Sequence, residues 1–247
     1  MKWLWLLCLL LVLVGCNHKP AQVAVPPTPP PQPEAPAGTP PVEAERSKVP
    51  ESTIPPQDEI PADTKPLFVE TGIASWYGAP YHNRRGSNGE IYDMNALTAA
   101  HRTFPLGSIV RVTNLSSGES VVVRITDRGP FIEGRIIDLS HAAAEKVGLI
   151  RKGTGEVRVE LLKTPQSLDS GGKWAVQIGG FDREKRAREL ADHLTRRYHS
   201  AQVLTFNSPA GDWWVRVRVK DDLRARAEEI VRDTTTPEGG IFLVRLD

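Results

Sequence analysis

Fifteen of the chain's 21 prolines fall between Pro20 and Pro66, and no aromatic residue stands between positions 17 and 67. Such a stretch buries too little apolar surface to offset the entropy of ordering its backbone. Proline's fixed φ and missing N–H also keep it out of helix interiors and central strands. Any folded core must therefore come from residues 68–247, and residues 17–67 are expected to be a disordered linker rich in polyproline II. At ~3.1 Å per residue its reach is capped on the order of 150 Å, long enough to hold a folded domain well away from an anchor.

The segment before the linker supplies an anchor. Lys2 is followed by an apolar run from Trp3 to Val14, too short to span a bilayer as a permanent helix. The run ends in Leu13-Val14-Gly15-Cys16, and polar Asn17, His18 and Lys19 follow at once. This resembles the lipobox of bacterial lipoproteins. The resemblance implies a signal segment over 1–16 and lipidation at Cys16, with a membrane as partner through that lipid. Asn17 rather than aspartate after the cysteine implies sorting to the outer membrane. Acylation by two or three chains holds where one does not.

Composition excludes several function classes. The two cysteines, Cys8 and Cys16, both precede the linker, so the folded part has neither disulfides nor thiolate metal sites. A formal net charge of +1 gives no basic footprint for nucleic acid. The six histidines are scattered, and none makes an i, i+4 pair around a glutamate. No metal and no cofactor is expected.

Residues 68–163 read as a mainly β unit of short strands. One covers Ile73–Tyr77. Ser108–Asn114 and Glu119–Thr126 form a hairpin around the Asn114–Gly118 turn. A short helix covers His141–Val147, with Ser140 as N-cap and Gly148 as stop, and a closing strand covers Glu156–Leu162. Many short strands at this spacing suggest a small barrel. Residues 164–172 are a second, short linker. Residues 173–247 read as an α+β unit in βαββαβ order. Its strands are Trp174–Ile178, Ala201–Phe206, Trp213–Val219 and Ile241–Leu246. One helix is capped by Asp182 and places Ala187, Leu190, Ala191 and Leu194 inward; the other covers Asp221–Arg232 with Leu223, Ala227, Ile230 and Val231 inward. This split pattern is ferredoxin-like.

Longer motifs are family-specific. Gly72-Ile73-Ala74-Ser75-Trp76-Tyr77-Gly78, Asn88-Gly89-Glu90-Ile91-Tyr92-Asp93, Leu97–Thr103, Asp127-Arg128-Gly129-Pro130-Phe131 and Gly134–Ser140 resemble the rare lipoprotein A family. The resemblance implies a six-stranded double-psi β-barrel, as in expansins. It also implies cleavage of peptidoglycan glycan strands stripped of stem peptides. The implied reaction uses no water: the muramic acid's C6 hydroxyl attacks C1 and leaves a 1,6-anhydro end. A non-catalytic, wall-binding septal lipoprotein is the alternative. Two departures stand out, Gly86 where the family usually has threonine and Asn83 where it usually has glycine.

Such a reaction needs an acid near the leaving oxygen, and one carboxyl of raised pKa can serve first as acid and then as base. Glu90 and Asp93 lie three apart in a Gly-containing loop and His101 follows. Asp127 ends a strand, on the same side of its pleat as Val121, Val123 and Ile125. Asp138 follows Ile136-Ile137. Simpler roles exist: a local turn for Asp127, a helix cap for Asp138, a hydrogen-bonded core histidine for His101. The resemblance implicates Glu90, Asp93, His101 and Asp127, and the related barrels add Asp138. Spacing does not rank Asp93, Asp127 and Asp138 as proton donor.

In the second unit, Val176-Gln177-Ile178-Gly179-Gly180-Phe181 and Trp214-Val215-Arg216-Val217-Arg218-Val219 resemble the SPOR domain, which implies binding to denuded peptidoglycan at division septa, with division proteins as further partners. Alternation puts Val215, Val217 and Val219 on the helix-covered face. Gln177, Trp214, Arg216 and Arg218 then fall on an opposite, bare face suited to sugars.

Overall fold

The computed structural model describes residues 60–61, 63–168, 170–199, 201–208, 211–236 and 238–247. The expected lipidation site Cys16, the expected leader over 1–16 and the proline-rich segment as far as residue 59 lie outside the described residues.

Six strands make the first domain: β1 (Phe68–Tyr77), β2 (Thr98–His101), β3 (Ile109–Asn114), β4 (Ser120–Asp127), β5 (Arg135–Ser140) and β6 (Thr154–Lys163), with one short helix, α1 (His141–Lys146). They close into a barrel in the order β1-β5-β2-β4-β3-β6. β1 pairs with β5 and β2 with β4 in parallel, and the remaining pairs are antiparallel. Closure leaves no edge strand to pair with another chain. The barrel is filled by β-branched and leucine side chains, among them Val110, Val112, Val123, Ile125, Ile137, Leu139, Val159 and Leu161. Burying each is worth about 1.5–3 kcal/mol. Ser140 caps α1, its Oγ accepting from the Ala143 amide at 3.2 Å, and Gly148 (φ 67°) takes the left-handed turn beyond it.

β2 and β5 are not among the strands that alternation predicts. β2 reads Thr-Ala-Ala-His and is buried at every position, so it shows no polar face. β5 carries residues that read as the approach to α1. A central strand walled on both sides does not alternate.

The second domain runs β7 (Trp174–Phe181), α2 (Glu184–Arg197), β8 (Ala201–Asn207), β9 (Trp213–Val219), α3 (Arg224–Asp233) and β10 (Gly240–Arg245). Its sheet is antiparallel in the order β10-β7-β9-β8, the ferredoxin-like arrangement. One face packs Trp174, Val176, Ile178, Val215 and Val217 against Ala187 and Leu194 of α2 and Ala227 and Ile230 of α3.

Two local expectations are corrected. Asp182 does not cap α2: extended Arg183 occupies the N-cap without a side-chain bond, and acidic Glu184 opens the first turn, where it suits the helix dipole. Leu223 is not inward. It is 56% exposed at the N-cap of α3, because the chain turns at Asp222 (φ 53°) before the helix begins.

A third correction matters for function. The opposite face of the second sheet is not bare. Trp214 and Phe242 lie on it, each 7% exposed, and Phe131 of the barrel packs against both, with ring centroids 5.5 Å and 5.8 Å away. Polar bonds complete the seam. The Arg245 amide donates to the Arg102 carbonyl at 3.0 Å. The buried Arg128 guanidinium donates to the carbonyls of His101 (3.0 Å) and Phe104 (2.6 Å) and to the main-chain oxygen of Asp247 (2.6 Å). Strand alternation identifies which residues leave the helical face. It carries no information about a neighbouring domain.

Candidate active site

Strand pairing sets four residues in one row. Ser75 of β1 pairs with Asp138 of β5, Asp138 pairs with Ala100 of β2, and Ala100 pairs with Asp127 of β4. Residues opposite one another share a face, so two carboxylates flank a single methyl group. With strands ~4.8 Å apart, their Cα atoms stand roughly 10 Å apart.

A bulge makes this possible. Simple alternation would keep Asp127 on the side of Val121, Val123 and Ile125, inside the barrel. In the structure Ala99 pairs with core-facing Ile125, but Ala100 pairs with Asp127, so Thr126 is skipped. The extra residue turns Asp127 outward to join Ala100 and Asp138.

The two carboxylates have different surroundings. Asp138 is held by the Ser75 hydroxyl, which donates to Oδ1, and Ser75 in turn accepts from Arg135 at 2.9 Å. Its Oδ2 lies on the side of Gly129, 3.7 Å from where a Cβ on that glycine would sit. Burial pushes the Asp138 carboxyl up from its ordinary pKa and Asp127 adds to this, against Ser75, Arg135 and Arg102. Asp127 is fixed through Oδ1, which accepts from the Ser87 amide (2.9 Å), the Ser87 hydroxyl and the Arg128 amide (2.8 Å). Gly86 lies beside it: a Cβ there would sit 3.7 Å from the Asp127 carboxyl carbon.

Both acids line a cleft of about 530 Å³. Tyr77, Tyr81 and Tyr92 give it an aromatic wall, with Tyr92 stacked on Tyr77 at 4.4 Å. Burial raises the phenol pKa of all three, so they remain neutral donors. The opposite wall belongs to the second domain and includes Gln177, Phe206, Trp214 and Arg216.

Of the other expected site residues, Gln177, Trp214 and Arg216 line this cleft, and Glu90, Asp93, His101 and Arg218 do not. Glu90 is clamped by Arg124 through two oxygens, at 3.1 Å and 2.5 Å, and this guanidinium holds its carboxyl below the usual range. It ties the loop carrying Ser87 to β4, and so supports Asp127 from outside the cleft. Asp93 is largely exposed and accepts from the Asn95 amide at 2.9 Å, a local turn. His101 is 4% exposed and stacks on Phe104 at 3.8 Å. Its Nε2 meets Glu70 Oε1 at 2.7 Å, while Nδ1 accepts from the amides of Thr103 (3.2 Å) and Phe104 (2.9 Å). That pattern fixes a neutral tautomer, and burial lowers its pKa. Gln177 is 2% exposed, with Oε1 accepting from Arg216 at 2.7 Å. Arg218 sits apart, paired with Asp222 at 3.6 Å. Sequence reasoning missed Ser75, Ser87 and Ala100. None carries a signal without the strand register that brings them together.

Comparison with known proteins agrees with this architecture. Residues 69–159 match the family model described as lytic transglycolase, and residues 170–239 match that of the SPOR domain. Among similar proteins is the endolytic peptidoglycan transglycosylase RlpA of Vibrio cholerae serotype O1, 47% identical over 134 residues, which are 51% of this chain and 51% of that protein. The protein of the same name from Neisseria meningitidis serogroup A is 56% identical over 100 residues, 40% of this chain and 42% of the relative. That of Pseudomonas aeruginosa is 44% identical over 138 residues, 56% and 40%. The chain spans about half the length of the curated relatives it matches.

Proposed function

We propose that this chain, a lytic transglycolase-type barrel joined to a SPOR domain, is an endolytic peptidoglycan lytic transglycosylase acting on peptide-free glycan strands at the division septum. The observation that carries the reading is the row in which Asp138 and Asp127 flank Ala100 on one face of the barrel, inside a cleft. Similarity of both domains to the named relatives supports it.

The chemistry follows from the two environments. Asp138, whose pKa burial pushes up, donates a proton to the glycosidic oxygen as the bond from C1 breaks. Asp127, fixed by Ser87, stabilises positive charge developing at C1. The C6 hydroxyl of the same muramic acid then closes on C1. Its proton returns to Asp138, so the carboxyl is regenerated and no water is consumed. The tyrosine wall offers aromatic faces to the CH faces of sugar rings.

Cys16 as a lipidation site, an outer-membrane anchor and the linker as a spacer complete the proposal: the active barrel works in the wall, on the periplasmic side. The test is digestion of amidase-stripped sacculi with the purified chain. Products ending in 1,6-anhydromuramic acid are expected. Reducing ends, or no soluble product, would refute the reading.

A further inference from the structure

The strand carrying Asp138 holds a second bulge. Ile73 of β1 pairs with Arg135 of β5, but Ala74 pairs with Ile137, so Ile136 is skipped. Arg135 stands three positions from Asp138, and simple alternation would point it into the barrel. The extra residue returns it to the outer face, with exposed Ile73 and on the side of Ser75 and Asp138. Gly72 makes room for the bulge: a Cβ there would sit 2.8 Å from Ile136 Cγ2. Among the described residues, Arg135 directs its side chain to Ser75 alone, Nη1 donating to Oγ at 2.9 Å, and no carboxylate forms an ion pair with it. Arg102, the other cation near the acid, is committed elsewhere: its Nη1 donates to the Pro130 carbonyl at 3.2 Å and its guanidinium lies 5.5 Å over the Phe242 ring. Tyr77 and Tyr81 stand near Asp138 as neutral phenols, and Asp127 lies across Ala100.

We propose that Arg135 is a positioning residue that acts through Ser75, fixing Asp138 with Oδ1 as an acceptor and Oδ2 as the oxygen that carries the reacting proton. The inference rests on the proposed function for the reaction in which that proton is used. A serine hydroxyl has a single hydrogen to give. Ser75 Oγ accepts from Arg135, so its own hydrogen is directed to Asp138 Oδ1. A proton on Oδ1 would instead point at Ser75, which is 4% exposed, and leave the serine hydrogen buried without an acceptor. The proton therefore belongs on Oδ2, which lies toward Gly129, a residue of the cleft wall. The positive charge of Arg135 also opposes the burial that pushes the carboxyl up. The group can then release its proton as well as hold it, as a carboxyl serving first as acid and then as base must.

The test is a carbon-13 NMR titration of the aspartate carboxyls in the full chain, with the Asp138 signal assigned by its loss in Asp138→Asn. Arg135→Met should move the Asp138 midpoint upward. Arg135→Lys should bring it back, since lysine keeps the charge and a donor. A merely structural role for Arg135 would leave the midpoint of the folded chain unmoved. Rates on amidase-stripped sacculi supply the second arm. Arg135→Met should lower release of anhydro products about tenfold, the weight of a charged hydrogen bond. In a Ser75→Ala chain the same change should cost less than about twofold, because the arginine has no hydroxyl left to direct. An unmoved midpoint, or equal losses in the two backgrounds, would overturn the inference. Absence of anhydro products from the unmutated chain would instead count against the proposed reaction, and the titration would still decide the inference.

Discussion

Asp127 and Asp138 are both Cα partners of Ala100, one across each edge of β2, and burial pushes the Asp138 carboxyl up from its ordinary pKa. The proposed reaction gives the two groups on this row unlike roles. Asp138→Asn is expected to lower formation of anhydro products by about 10²- to 10⁴-fold, the usual weight of a positioned general acid. Activity of the unmutated chain should fall as pH rises through the Asp138 pKa, since the donor is then lost. Initial rates on denuded sacculi against pH would check both.

The same residue makes a stability prediction. A carboxyl whose folded pKa lies above its unfolded value binds its proton more tightly in the native state. That contribution is full below the unfolded pKa, near 4, and is lost as pH rises through the folded value. Asp138→Asn should therefore melt higher than the unmutated chain at pH 7, with the gap closing toward acid. A gap that widens on acidification would contradict it.

His101 is expected to matter through folding. Its Nδ1 satisfies two buried amides, those of Thr103 and Phe104. His101→Ala should cost about 3 kcal/mol, because both donors lose their acceptor. Its folded pKa is lowered by burial, so its stabilising effect is present above the unfolded pKa, about 6.5, and is lost as pH falls. Melting curves together with kcat at a permissive temperature separate this from a role in proton transfer. A fully folded His101→Ala chain without activity would point to chemistry instead.

Asn83 explains one departure from the family pattern. Its φ of 62° is left-handed, a conformation open to glycine and tolerated by asparagine. Asn83→Gly should change stability by less than about 0.5 kcal/mol, while Asn83→Val should cost about 1–2 kcal/mol. Denaturant midpoints of the two variants suffice as a check.

Phe131 holds the seam between the domains. Phe131→Ala is expected to cost about 2 kcal/mol of docking, since two aromatic contacts are lost. Scanning calorimetry should then resolve two transitions where the unmutated chain shows one.

Much of this was legible in the sequence, for identifiable reasons. The βαββαβ order and the Ser140 cap follow from periodicity and local chemistry. Asp127 and Asp138 attract notice as carboxylates beside apolar runs. Their partnership does not, because it depends on β2, whose Thr-Ala-Ala-His carries no alternation, and on a bulge that alternation cannot foresee. Glu90 and His101 have the right chemistry and family position, and the structure gives them supporting contacts outside the cleft. Trp214 and Gln177 were separable from the helical face by strand period, but only the fold shows Phe131 of the barrel packed on Trp214.

The bulge at Thr126 has a consequence for how this site can change over time. The spacing of the two acids is set by sheet register, which moves in whole residues and cannot be adjusted by degrees. Losing the bulge would not widen the gap slightly; it would turn Asp127 into the valine-lined interior and leave one acid outside. Drift elsewhere in the barrel can soften or stiffen the scaffold, but the pairing of the two acids is inherited all or none.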